Sequence, residues 1–104
     1  MALTHLNEND FNDFIVKSEL SVVDFYATWC PPCKMLAPIM EEIGEQAKDF
    51  QVAKIDIDQA IEVANEYGVM SIPTLIFFKD GKEIQRLVGF RNKDEIMQEI
   101  NSLK

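Results

Sequence analysis

Two cysteines stand three positions apart in the segment Trp29-Cys30-Pro31-Pro32-Cys33-Lys34, and the chain has no others. The residues before this pair predict a buried strand, and those after it predict a helix. With Cys30 just outside that helix and Cys33 in its first turn, their Cβ atoms would lie roughly 5–6 Å apart, which suits a disulfide. Because such a disulfide closes a very small loop, it would add little stability. The pair is therefore predicted to be a redox site rather than a structural crosslink.

The predicted position of Cys30 also favours its ionised form. The first N–H groups of a helix have no partners within the helix and the helix dipole is positive at that end, so a thiolate is stabilised there. This lowers the pKa of Cys30 and makes it the attacking sulfur. The alternative, a structural zinc site, needs four ligands, and beyond the two cysteines the chain offers one histidine, His5, far away in sequence. We therefore expect no metal and no cofactor.

A carboxylate in the predicted strand at 22–27 is the second candidate. Asp24 stands in a nearly continuous apolar run, which indicates a strand buried on both faces. An ionised carboxyl there is costly unless it is paired, so its pKa should rise or it should find partners. An acid perturbed in this way close to reactive thiols is a candidate for proton transfer; the alternative is that it faces water at a sheet edge. Lys54, on the next predicted strand, either faces Asp24 or is an ordinary solvated lysine.

Length and composition describe a globular protein. We expect residues 1–104 to form one domain, with 47% hydrophobic and 27% charged residues. The 18 acidic against 10 basic side chains give a net charge of −8, which argues against nucleic acid and anionic membranes as partners. The first six residues contain no basic stretch followed by an apolar run, so a cytoplasmic location is expected, although a chain trimmed of its signal would look the same.

Strands and helices alternate along the chain, which predicts an α/β fold with a mixed sheet and helices on both of its faces. Asn7 or Asn9 is expected to cap the first helix. Pro31 or Pro32 is expected to open the second, and Pro38 to kink it. The Asp80-Gly81 pair predicts a hairpin turn. The predicted strands are 3–6, 22–27, 51–57, 74–78 and 83–88. The first predicted helix ends at about residue 17, and the other three lie at 31–43, 59–66 and 92–103. Apolar residues at helical spacing in the second helix are Met35, Leu36, Ile39, Met40 and Ile43.

Several apolar residues fall in or beside predicted loops, where they could belong to the core or form a rim on which partner proteins dock. They are Trp29, Pro31, Met70 and Ile72. Pro73 begins a predicted strand, and because only about 5–6% of X–Pro bonds in folded proteins are cis, its own sequence context favours the trans form.

Together these residues resemble the thioredoxin family over essentially the whole chain. The cysteine motif alone occurs in several related families, but in combination with Asp24, Lys54 and Ile72-Pro73-Thr74 at these spacings it is highly specific. The matching segments are Val23-Asp24-Phe25, Ala27, the cysteine segment with Pro32 and Lys34, Pro38, Val52-Ala53-Lys54, Tyr67-Gly68-Val69, Ile72-Pro73-Thr74, Phe78-Lys79-Asp80-Gly81 and Val88-Gly89.

The resemblance implies a thioredoxin fold, with a central mixed sheet flanked by four helices, and a thiol–disulfide oxidoreductase that reduces protein disulfides and carries electrons. Cys30 would attack a partner's disulfide and Cys33 would resolve the mixed disulfide. Asp24 would accept the proton of Cys33, and Lys54 would tune Asp24. A thioredoxin reductase would be the electron donor, and the protein is expected to act as a monomer without a cofactor.

The resemblance also implies a substrate-binding rim. Pro73 matches the family's cis-proline, which would leave the backbone near Ile72 free to pair with an extended substrate. Trp29, Met70 and Gly89 complete the expected rim. Because the chain from Phe25 to Met40 carries a single charge, docking there is expected to be mostly apolar and only weakly sensitive to salt.

The chain departs from the family pattern at two positions. Pro31 stands where a glycine is usual, and neither Pro31 nor Pro32 has an N–H to donate to the Cys30 thiolate. Loss of a donor raises the pKa of Cys30, whereas a stiffer turn can favour either redox form, so the sign of the change in reduction potential is open. Tyr26 stands where many members carry a second tryptophan.

Two other functions fit the same residues. One is a disulfide oxidase or isomerase on the same fold, which Pro31 keeps in consideration because the residues between the cysteines influence the redox equilibrium. The other is a binding module that uses the apolar rim around Trp29 and Met70 without redox chemistry. A metal-binding protein is a more distant alternative.

Overall fold

The computed structural model describes residues 3–104 and confirms a mixed α/β fold. In chain order the elements are β1 (Thr4–Leu6), α1 (Phe11–Lys17), β2 (Leu20–Tyr26), α2 (Pro31–Gln46), β3 (Gln51–Asp56), α3 (Ile61–Glu66), β4 (Thr74–Lys79), β5 (Lys82–Val88) and α4 (Lys93–Leu103). In the sheet the strand order is β1-β3-β2-β4-β5. The first three strands of that order are parallel to one another, and β4 is antiparallel to both of its neighbours, β2 and β5.

The central strand β2 is buried on both faces, as its apolar run predicted. Leu20 and Val22 point into a core that includes residues of α2 and α4. Val23 and Phe25, on the opposite face, point into a second core that includes residues of α1 and α3. Successive side chains of a strand alternate between faces, so helices on both sides leave neither face of β2 exposed to water.

The helix that follows the cysteines buries a stripe of apolar residues against the sheet. Leu36, Met40 and Ile43 are fully enclosed. Met35, another of the apolar residues at helical spacing, is 61% exposed, because it precedes Leu36 by one position and is therefore rotated from it by about 100° around the helix. Pro38 lies inside α2, and the helix continues on both sides of it.

The predicted cap of α1 is wrong. Asp10 is the residue before the helix, and its side chain makes no capping hydrogen bond. Asn7 instead accepts hydrogen bonds from the N–H groups of Asn9 and Asp10, so its side chain organises the turn that precedes the helix. Asparagine competes in this way for nearby backbone donors.

The hairpin between β4 and β5 turns on the two residues that predicted it. Asp80 has a φ of 51° and Gly81 a φ of 85°. Positive values at both central residues are those of a type I′ turn, whose twist matches that of the flanking strands. The last helix begins with a capping box, in which Asn92 accepts from the N–H of Glu95 and the Glu95 carboxylate accepts from the N–H of Asn92.

Candidate active site

Cys30 and Cys33 are joined by a disulfide, with their Cα atoms 5.2 Å apart. Cys30 is the residue that precedes α2 and has an extended backbone, the geometry that a following proline favours. Cys33 lies in the first turn, and each cysteine is only 3% exposed. The structure therefore confirms the predicted positions of both sulfurs at the start of the helix.

The first amide of α2 that can donate belongs to Cys33. Pro31 and Pro32 occupy the two preceding helical positions and have no N–H. The Cys33 N–H donates to the Cys30 sulfur at 3.2 Å. In the reduced protein this donor and the positive end of the helix dipole would stabilise a thiolate on Cys30, so the two prolines remove neighbouring donors but not this one.

Leu20, Val22 and Asp24 are every second residue of β2, so their side chains lie on the same face of the strand. This is the face that α2 covers. The Asp24 side chain is 2% exposed, and within residues 3–104 its Oδ1 atom has no hydrogen-bond partner. Burial raises the pKa of Asp24 from 3.8 to about 7, while the positive charge of Lys54 opposes that rise. A buried acid with a pKa near neutrality can both accept and return a proton.

Lys54 is the direct neighbour of Asp24 on the adjacent strand β3. Of the two alternatives that the sequence left open for Lys54, the structure therefore favours the one in which it lies beside Asp24. The ammonium group does not form an ion pair with the carboxylate. Its Nζ atom instead lies 4.6 Å from the centre of the Tyr26 ring, a cation–π distance. Tyr26 in turn packs against the small cluster that contains Ala27 and both cysteines.

The loop before β4 brings Ile72 and Pro73 to the disulfide. The Ile72–Pro73 peptide bond is cis, the isomer that the family resemblance implies. The Cys30 sulfur lies 3.9 Å from the carbonyl oxygen of Ile72. The carbonyl of Pro73 accepts a hydrogen bond of 2.8 Å from the N–H of Gly89, which has a φ of 92°. The loop before β4 thus lies beside Cys30 at Ile72 and is bound at Pro73 to the residue that follows β5.

Two large apolar side chains are exposed in the loops of the candidate rim. Trp29 is 64% exposed and Met70 is 95% exposed. Both are therefore surface residues, and the reading that they belong to the core is wrong for them. Pro31 is also exposed, whereas Ile72 is partly buried and packs against the cysteine cluster.

Asp58 is a residue of this region that the sequence reasoning missed. The indole N–H of Trp29 donates to its Oδ2 atom at 2.7 Å. The rim that was expected to be mostly apolar therefore includes a carboxylate. The sequence has no local signal for this contact, because it depends on β2 and β3 being parallel neighbours whose last residues, Tyr26 and Asp56, pair, so that the loops that follow them begin at the same edge of the sheet.

Other kinds of site receive no support from the described residues. From residue 3 to the C-terminus, no three histidine, cysteine or acidic side chains are grouped so as to hold a metal ion. Over the same range, no helix combines the length and the apolar character needed to cross a membrane.

Comparison with known proteins identifies relatives over nearly the whole chain. The thioredoxin family model matches residues 2–102. A thioredoxin of Mycoplasmoides gallisepticum is 45% identical over 88% of this chain and 92% of its own. A thioredoxin of Mycobacterium tuberculosis is 47% identical over 88% of this chain and 79% of its own. Among solved structures, a mutant thioredoxin from Halobacterium salinarum superposes with a TM-score of 0.91 at 36% identity, covering 97% of this chain and 89% of that one.

Proposed function

Since the chain belongs to the thioredoxin family and is a thiol–disulfide oxidoreductase with a Cys30–Cys33 redox pair, we propose the following roles for its residues. In the reduced protein the Cys30 thiolate attacks one sulfur of a partner's disulfide. A bond forms between Cys30 and that sulfur, and the partner's other sulfur leaves as a thiolate. Cys33, having given its proton to Asp24, then attacks the Cys30 sulfur and releases the partner's second thiolate. Two electrons have passed to the partner, and the Cys30–Cys33 disulfide remains.

The observation that carries this proposal is the place of the two sulfurs at the start of α2. The Cys33 N–H already donates to the Cys30 sulfur, so Cys30 is the sulfur that gains most from carrying negative charge. The burial of Asp24, with a pKa near 7, supports its role as proton acceptor at neutral pH. Lys54 tunes that carboxyl from the neighbouring strand.

The substrate-binding role belongs to the loops around the disulfide. The Ile72 carbonyl lies beside the Cys30 sulfur, where an extended segment of a partner can pair with the backbone as an added strand. Pro73 and Gly89 hold this stretch through their backbone hydrogen bond. Exposed Trp29 and Met70 supply apolar contact area on either side.

The partners follow from this chemistry. The proposed substrates are proteins with accessible disulfides, and the proposed electron donor is a thioredoxin reductase that returns two electrons to the Cys30–Cys33 disulfide. A disulfide reductant belongs where thiols are kept reduced, so we place the protein in the cytoplasm, acting in electron transport as a monomer of one domain over residues 1–104.

Substitution of each cysteine separately tests the order of attack. Cys30→Ser should abolish reduction of a protein disulfide such as that of insulin. Cys33→Ser should still attack and then stop, because nothing resolves the mixed disulfide, so the covalent complex should accumulate and be visible on non-reducing gels. Normal turnover by Cys33→Ser would contradict the two-thiol mechanism.

The competing function, a disulfide oxidase or isomerase, draws support from Pro31 and Pro32, which remove two amide donors from the start of α2. The reduction potential of the Cys30–Cys33 couple, measured by equilibration in graded thiol–disulfide buffers, separates the two. A value of about −270 mV, the reference value for thioredoxin, identifies a reductant, whereas a value of about −180 mV or above identifies a disulfide donor.

A further inference from the structure

Tyr26 contacts Lys54, the cation that acts on the buried acid, and also packs beside the redox pair. Tyr26 ends β2 two residues after Asp24, so both side chains belong to the same face of the strand. The Tyr26 side chain packs against the cluster of Ala27, Cys30 and Cys33. The Nζ atom of Lys54 lies 4.6 Å from the centre of the Tyr26 ring. Tyr26 therefore contacts both Lys54 and the cluster that contains the redox pair.

Lys54 has two possible partners, and the structure shows which one it takes. Its neighbour across the strands is Asp24, whose carboxyl would be the stronger partner for a free ammonium group. Within residues 3–104 the two do not form an ion pair, and Asp24 Oδ1 is left enclosed without a hydrogen bond. A partly desolvated cation–π contact is strong enough to decide between two nearby positions of a flexible lysine.

We propose that Tyr26 is a positioning residue for disulfide exchange: its ring holds the Lys54 ammonium away from Asp24, so that the carboxyl keeps an oxygen free to accept the proton of Cys33. This inference rests on the proposed role of Asp24 as proton acceptor. It assigns to the tyrosine, at a position where the family often has tryptophan, control over how strongly Lys54 acts on the acid.

The charges around Asp24 are few enough for this control to matter. From β3, Lys54 is the cation that lowers the pKa of Asp24. Asp56, also on β3, is the direct neighbour of Tyr26, and its negative charge raises the pKa of the Tyr26 phenol, after burial and together with Asp24. The tyrosine is therefore neutral at neutral pH. The residue that β4 places beside Asp24 is Leu75, and α2 contributes apolar Leu36 and the cysteine Cys33.

Removal of the ring should let Lys54 close on Asp24. In the oxidised protein, where neither cysteine titrates, the Asp24 carboxyl can be followed by carbon-13 NMR as a function of pH. We expect Tyr26→Leu to lower the Asp24 pKa by about one unit, since an opposite charge that comes within a few ångström favours the ionised form. Tyr26→Phe keeps the ring and is the matched control, with the Asp24 pKa nearly unchanged.

A second background separates the action of Lys54 from that of water. Tyr26→Leu also shortens the side chain over Asp24, and better hydration alone would lower the pKa of that acid. We therefore measure Tyr26→Leu in Lys54→Gln as well, where the proposal expects the lowering to disappear. An equal lowering in both backgrounds, or an unchanged Asp24 pKa in Tyr26→Leu, overturns the proposal. Tyr26→Met, whose longer and more flexible side chain adapts better to the space of the ring, replaces Tyr26→Leu if that variant does not fold.

The pH profile of turnover keeps this test distinct from that of the proposed function. If Asp24 is the proton acceptor, the pH at which the Tyr26→Leu variant reaches half its full rate should move down with the Asp24 pKa. An NMR shift with no change in the pH profile would leave Tyr26 as the residue that positions Lys54 and would remove Asp24 from the mechanism. An unchanged NMR titration would overturn the inference and leave the two-cysteine mechanism intact.

Discussion

The carboxyl of Asp24 links the stability of the protein to pH. Its pKa is raised from the ordinary value of 3.8 to about 7 in the folded chain, with burial as the main cause. The folded protein therefore binds this proton more tightly than the unfolded chain does. The stabilisation from that proton is complete below about pH 4 and is lost as the pH rises through about 7. Since each unit of pKa difference corresponds to about 1.36 kcal/mol, the loss in the free energy of unfolding is on the order of 4 kcal/mol.

Replacement of the acid by its amide should remove this dependence. We expect Asp24→Asn to be more stable than the parent at pH 8 by up to about 4 kcal/mol, because no charge has to be buried. The difference should shrink steadily between pH 7 and pH 4. Urea unfolding at several pH values measures both effects. Asp13→Asn, which changes an exposed acid on α1, is the control and should leave the pH dependence of the parent; a constant difference for Asp24→Asn would contradict the raised pKa.

The same variant should be a slower enzyme. Without a group to accept the Cys33 proton, resolution of the mixed disulfide slows, and at neutral pH we expect turnover to fall by about tenfold or more, since positioned acid–base groups contribute large rate factors. The loss should lessen at higher pH, where Cys33 ionises without assistance. Insulin reduction followed over a range of pH gives the result, and an unchanged rate at pH 7 would remove Asp24 from the mechanism.

At this scale the sequence identifies residues whose chemistry depends on their own neighbours in the chain. Asp24 is recognisable because burial of an ionised carboxylate in an apolar strand costs free energy. The cysteines are recognisable because their spacing fits the start of a helix. Asp58 is not, because its contact with Trp29 depends on two loops 29 residues apart. The position of Lys54 over Tyr26 also depends on strand pairing, which local patterns do not specify.

Among the structural elements, the β4–β5 hairpin illustrates how one turn residue can fix a strand pair. Gly81 has a φ of 85°, and a Cβ atom added to it would lie 2.7 Å from Val16 Cγ1 on α1. The hairpin therefore approaches the Val16 side chain of α1 closely at a residue without a side chain. Gly68 also has a positive φ, of 62°, but a Cβ there would meet nothing within 4 Å.

This pair of glycines gives a matched test of crowding. Gly68→Ala should cost about 1 kcal/mol of folding free energy, because a left-handed backbone is unfavourable for alanine. Gly81→Ala carries the same backbone cost and the clash with Val16 in addition, so we expect a loss of about 2–3 kcal/mol. Urea unfolding measures both. Addition of Val16→Ala to Gly81→Ala should recover the difference, and equal losses for the two glycine variants would show that α1 yields without cost.

The type and order of the elements were predictable because hydrophobic period and turn chemistry are local signals. Val22 to Ala27 was predicted as a strand from its apolar run, and Asp80-Gly81 specifies its turn directly. The ends of the elements were less predictable. The prediction of the α1 cap was wrong because the Asn7 side chain accepts hydrogen bonds in the turn before the helix. Helical spacing alone also did not separate exposed Met35 from the buried residues of α2.

The whole molecule has a net charge of −8, and its proposed docking rim is less apolar than the segment from Phe25 to Met40 suggests. Asp58 places a carboxylate against Trp29 in the proposed docking rim. Since clusters of one sign steer oppositely charged partners, and salt screens that attraction over about 10 Å at 0.1 M, the choice among disulfide partners should depend on their charge.

Cationic substrates provide the test. We expect the kcat/KM for a positively charged disulfide peptide to fall several-fold as salt is raised, while the value for a neutral peptide of the same length stays nearly constant. Asp58→Asn should reduce the salt dependence. Asp49→Asn removes the same charge just before the start of β3, at the opposite end of that strand from the site, and should reduce it less. Equal salt dependence for both peptides would restore the purely apolar view of docking.

The overall architecture could be predicted in class but not in its pairing. Alternating elements indicate helices on both faces of a sheet, whereas the strand order β1-β3-β2-β4-β5 follows from contacts across the whole chain. That order makes β2 the central strand, so Asp24 is covered by a neighbouring strand on each side and by α2 above.

Trp29 gives the molecule an optical property of its own. It is the only tryptophan in the chain, it directly precedes Cys30, and its indole is tied to Asp58. Light absorbed selectively by indole is therefore emitted from one place, and that place is the redox centre. Oxidation and reduction can be followed in the unlabelled protein by stopped-flow fluorescence with any tryptophan-free substrate, with no signal from elsewhere in the fold to subtract.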